Sequence, residues 1–86
     1  MQLEKISQDN FVKLTKTEKV SNVFTAGKEL LHREKDDYSI SLYTLYGFFV
    51  EVWYKDPAKK IEKIEVCDLD WVAKYYDNEI ELASLF

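Results

Sequence analysis

Cys67 is the single cysteine and His32 the single histidine of this 86-residue chain, and a thiolate beside an imidazole is the pair that nucleophilic catalysis would use. Such partners meet in space rather than in sequence, so the pair stays open until the elements carrying the two residues are placed. Each also has a purely structural role to hand. Cys67 falls near the end of a strand pattern, where a free cysteine behaves as a small buried hydrophobe. His32 falls late in a helical pattern, where an imidazole complements the negative end of the dipole. With Glu34 it spells H-x-E, but the zinc deaminase signature also needs P-C-x-x-C, and one thiol with one imidazole cannot complete a three-ligand zinc site. No metal site and no cofactor is expected.

Three other stretches invite a chemical reading. Gly27-Lys28 has the end of a phosphate loop, yet that motif needs glycine where Asn22 stands and a hydroxyl where Glu29 stands. A glycine on an apolar helix face marks a close helix-sheet approach instead. Asp68-Leu69-Asp70 has the D-x-D form of metal-dependent sugar transferases, but an N-cap followed by a first-turn carboxylate accounts for both residues. Tyr46 to Val52 departs from the aromatic strand signature of RNA-recognition modules at three points. It has no leading basic residue, no small residue between the aromatics, and Val52 in the last aromatic place.

Charge points the same way. The net charge is −4, and residues 64–86 hold six acidic groups against one basic, which repels a phosphate backbone. No nucleic-acid partner is expected. The longest uncharged apolar run, residues 42–50, is far below the roughly 20 residues a membrane-spanning helix needs, so no membrane partner is expected either. The N-terminal ten residues lack the basic start and apolar core of an export signal, and a lone cysteine fits a reducing compartment. The expected location is cytoplasmic.

The elements that position these residues follow from periodicity. One domain over residues 1–86 is expected, with residues 1–14 as a short helix or a loosely ordered arm. From Thr17 to Asp36, Val20, Val23, Phe24, Gly27, Leu30 and Leu31 recur at steps of three and four, which predicts a helix begun by a Thr15/Glu18 capping box. Residues 38–55 alternate, with Tyr38, Ile40, Leu42, Val50, Val52 and Tyr54 on even positions. Keeping that even set together requires a three-residue loop over 46–48, which pairs Leu45 with Phe49. After a turn at Pro57, a charged edge strand is predicted over 60–67, then a short helix from Asp68 through Tyr76 and an apolar tail holding Ile80, Leu82, Leu85 and Phe86. The fold class is α+β, a three-stranded antiparallel meander with the N-terminal helix on one face and a short C-terminal helix.

Aromatics make up 15% of the chain, and the predicted loop decides which of them lack an obvious place. It would set Tyr43, Leu45, Phe49 and Trp53 together on the sheet face away from the main helix. Either the C-terminal segment folds back over them, or a second copy covers them through this face or an edge strand, or they wall a groove for an apolar ligand or peptide. A chain of this length buries only about 64% of its unfolded surface, so a partner would add materially to its stability. The expected role is a non-enzymatic interaction or assembly module, homodimeric or bound to another protein, with the ligand binder as the alternative. No catalytic residue is assigned.

Overall fold

The computed structural model describes residues 5–56 and 60–76. Along the chain, α1 (Gln8–Phe11) and α2 (Lys16–Ala26) precede four strands, β1 (Lys28–Lys35), β2 (Tyr38–Leu45), β3 (Phe48–Lys55) and β4 (Lys60–Cys67), and α3 (Leu69–Tyr76) follows. The strands form one antiparallel sheet in sequence order. The α+β class, the hairpin region, the strand over 60–67 and the short helix after Asp68 are as the pattern predicts. The proline turn and the apolar tail lie outside the described residues.

The sheet has four strands rather than three, because the long helix predicted to Asp36 stops at Ala26. Gly27 turns extended, at φ −80° and ψ 159°, while its N–H still bonds the Val23 carbonyl at 2.8 Å. A side chain there would bring a Cβ to 2.5 Å from that carbonyl oxygen and 3.4 Å from the Tyr43 ring, so the approach that glycine permits is at the helix end, not its middle. Beyond it, Leu30 and Leu31 satisfy the helical period, but pairing with β2 overrides it. The competing interaction is nonlocal: an unpaired β2 would leave an eight-residue ladder without partners.

The hairpin between β2 and β3 also differs from the prediction. Tyr46 and Gly47 form a two-residue turn, both with positive φ (53° and 93°), and Leu45 pairs with Phe48. Turns of this kind match the strand twist. The parity argument for a longer loop assumed one core face, whereas here apolar side chains are buried on both. Tyr43 and Leu45 therefore share a face with Phe48, Val50 and Val52, and Ile40 and Leu42 share the other with Phe49, Glu51 and Trp53.

The first of these, the α2 face, closes over Phe11, Val23, Leu45, Phe48, Val50, Val52 and Ile64, with Ile6, Leu14 and Val20 at its margin. The predicted capping box is formed: Thr15 Oγ1 accepts from the Glu18 N–H at 3.2 Å, and Glu18 accepts from the Thr15 N–H at 2.9 Å. That backbone hydrogen bond holds the Glu18 carboxyl below its usual range. Residues 5–14 are anchored by Phe11, which is fully buried and stacks at 5.5 Å on Phe48. The second, the α3 face, closes over Leu42, Val72 and Tyr76 with Leu31, Phe49 and Cys67.

Candidate functional site

Glu51 is the only charged residue between Asp37 and Lys55, and it lies mid-strand in β3 on the α3 face. A carboxylate there must be paired or ruin the core, since burying an unpaired charge costs far more than a domain's margin of stability. It is 1% exposed and fully engaged. Oε2 accepts from Arg33 Nε at 3.1 Å and from the Tyr76 hydroxyl at 2.7 Å. Oε1 accepts from Trp71 Nε1 at 3.0 Å, Trp53 Nε1 at 3.2 Å and Arg33 Nη2 at 3.4 Å.

The donors come from three parts of the fold. Arg33 reaches in from β1, where it pairs with Ile40; Trp53 stands two residues along β3; Trp71 and Tyr76 descend from α3. The guanidinium carbon lies 4.6 Å from the Tyr75 ring, 5.4 Å from Trp53 and 5.6 Å from Tyr76, an aromatic enclosure that favours a cation. Burial alone would lower the Arg33 pKa, but the Glu51 carboxylate outweighs it and holds it above the usual value. Burial, then the hydrogen bond to Glu51, pushes the Tyr76 hydroxyl well above the ordinary tyrosine range. Five donors fill both oxygens, so the carboxylate keeps no lone pair for a substrate proton.

Beside this hub, Glu51, Glu65, Val66, Cys67, Asp68 and Trp71 line a cavity of about 170 Å³, smaller than the roughly 300 Å³ at which ligand pockets begin. Burial, with Glu51 and Asp68 adding, pushes the Cys67 thiol up to about 12, so at neutral pH it is not a nucleophile. His32 is not in a helix. It is exposed on β1, with Nδ1 3.5 Å from Ser41 Oγ, on the opposite sheet face and the opposite edge from Cys67, so the two form no pair. Among the described residues no three His, Cys, Asp or Glu side chains are grouped to hold a metal ion. Asp68 acts as the helix cap expected of it, Oδ1 accepting from the Trp71 N–H at 2.9 Å.

The short turn divides the four predicted contact residues between the faces. Tyr43 and Leu45 lie on the α2 face, Phe49 and Trp53 on the α3 face. Leu45 and Trp53 are buried, at 1% and 7% exposure, while Tyr43 and Phe49 are half-buried. A single surface made of all four does not exist. Among the described residues the exposed large apolar side chains are Val12, Phe24, Leu69 and Tyr75; Phe24, the most open of these at 55%, sets its ring edge-on to Tyr43 at 5.8 Å.

The sheet edges are blunted against pairing. β1 carries a bulge at Leu30, between Glu29 and Leu31, and β4 carries one at Glu62, where the partners of Trp53 and Tyr54 are Lys63 and Ile61. Bulges and lysines on edge strands are the usual obstacles to edge-to-edge association. Among the described residues no helix is long and apolar enough to cross a membrane. No family model, no curated protein and no solved structure matches the chain. Its function has to be read from the geometry above.

Proposed function

We propose that the chain is a small non-enzymatic interaction or assembly module that associates with a second copy of itself through the open end of the α2 face. The observation that carries this reading is Phe24, a large aromatic left more than half exposed and packed edge-on against the half-buried Tyr43. Paired aromatics at a surface are what interface centres are built from. Two further observations support it. The sheet edges are bulged, which directs association to a face, and the hub, which carries the strongest polar convergence among the described residues, is saturated by its own donors. An apolar-ligand site is favoured less, because the 170 Å³ cavity is small and rimmed by Glu51, Glu65 and Asp68. An unpaired Cys67 suits the reducing cytoplasm.

Sedimentation velocity across the micromolar to millimolar range tests it. The expected result is a concentration-dependent shift toward dimer that Phe24→Ser abolishes while the thermal midpoint at low concentration stays within a few degrees. A wild-type chain that sediments as monomer throughout, or a Phe24→Ser variant that dimerises equally well, overturns the reading.

A further inference from the structure

We propose that α3 is a polar-latched cover that opens as a unit around Glu51, uncovering the Leu31, Leu42 and Phe49 row and the buried side of Cys67 while the α2 face stays closed. An eight-residue helix is not stable alone in water, so α3 exists only through what holds it down. Among the described residues its buried apolar contribution is Val72 and Tyr76, and its polar attachment is Trp71 Nε1 and the Tyr76 hydroxyl on Glu51 with the Tyr75 and Tyr76 rings on the Arg33 guanidinium. No residue of α3 belongs to the cluster on the other face. Opening therefore leaves the larger core intact.

The polar latch makes such opening accessible. When α3 lifts, Glu51 and Arg33 regain water, and hydration replaces much of what the donors supplied; a purely apolar contact has no such compensation. Trp53 Nε1 and Arg33 remain on Glu51 from the sheet itself, so the charge is not stranded. Asp68 alone connects β4 to α3, which places the hinge at the helix start and Cys67 directly beneath it. Local opening of this kind is a sub-global unfolding event, distinct from loss of the whole fold.

Cys67, the chain's only thiol, is part exposed in the closed state, so it reports on the cover through the change in its labelling rate between the wild-type chain and latch variants. The test is the rate at which a soluble aromatic disulfide reagent labels Cys67 in native buffer, read beside hydrogen exchange of the α3 and β3 amides. Tyr76→Phe removes the hydroxyl that donates to Glu51 and accepts from Arg33, and keeps the ring. Labelling and α3 exchange are expected to rise about tenfold, the ratio equivalent to roughly 1.4 kcal/mol, with the α3 amides less protected than the β3 amides in the wild-type chain and in both variants. Trp71→Phe, which removes the other α3 donor, should act in the same direction and guards against a folding failure of the first variant. Equal protection of α3 and β3 amides in the wild-type chain and in both variants, or labelling unmoved in both variants, would show that α3 opens only with the whole domain and overturn the proposal.

Discussion

Among the described residues, seven buried apolar side chains from five elements meet on the α2 face with no ion pair beside them; on the α3 face five are buried, Ile40, Leu42, Trp53, Val72 and Tyr76, and a saturated carboxylate completes the closure. Both layers rest on the same two central strands, so the contrast belongs to the chemistry of the faces rather than to topology. An apolar layer gains from every methylene it removes from water and tolerates small shifts. A buried ion pair gains little over an apolar replacement of the same shape, yet fails badly when one partner is lost.

That asymmetry gives the largest predicted effects. Glu51→Ala strands Arg33 and leaves Trp71, Trp53 and Tyr76 without their acceptor, and urea denaturation should show a loss of about 3–5 kcal/mol. Phe11→Ala should lose a similar amount on the other face, through its cavity. The double variant Arg33→Met/Glu51→Leu separates the two cases. It should recover the part of the Glu51→Ala loss that comes from the stranded Arg33, while Trp53, Trp71 and Tyr76 stay without their acceptor, and no second substitution should rescue Phe11→Ala in the same way. If the double variant is as unstable as the single, the hub is more than a paired charge.

Alkaline pH should probe the α3 face next. The Cys67 thiol rises from an ordinary 9.0 to about 12 in the folded chain, chiefly by burial, and Tyr76 is raised for the same reason and by Glu51. Below pH 9 folded and unfolded chains both hold these protons and the contribution is complete. Between pH 9 and about 12 the unfolded thiol ionises and the folded one does not, so stability falls as pH rises. Partial exposure of Cys67 screens the effect, which should be smaller than the loss in Glu51→Ala. Urea midpoints at pH 8 and pH 10.5 should differ less in Cys67→Ala than in the wild-type chain; an equal fall assigns the loss to other groups.

How far the sequence reveals this contrast follows from which interactions are local. The Thr15/Glu18 box, the alternation of β2 and β3 and the Asp68 cap are each set within a few residues, and all are legible. β1 was hidden because Leu30 and Leu31 satisfy a helical period, and only pairing with β2 makes them a strand. The hub was hidden for the same reason: Arg33, Glu51, Trp71 and Tyr76 are far apart in sequence. One local sign was present, a single carboxylate in a seventeen-residue stretch with no other charge, which demands a buried partner. Gly27 also spoke correctly of close approach and misled only about its place. Gly27→Ala should cost about 1–2 kcal/mol in urea, because the Val23 carbonyl it would meet is backbone and cannot swing away.

The smallest predicted effect is a gain, and it lies on the apolar face. Tyr46 packs against that core at the first position of the β2–β3 turn, with φ at +53° and a buried hydroxyl that has no hydrogen-bond partner among the described residues. Such a hydroxyl costs about 1 kcal/mol or more relative to leaving it in water, and removing it sacrifices no bond. Tyr46→Phe keeps the ring and the backbone geometry while deleting that cost, so the thermal midpoint should rise by a few degrees. The equivalent change at Tyr76, whose hydroxyl joins Arg33 to Glu51, should lower it. The same atom deleted from the same residue type thus has opposite signs on the two faces, because one hydroxyl is surplus in an apolar layer and the other is a link in a polar one. Equal signs would show that the faces are not closed by different means.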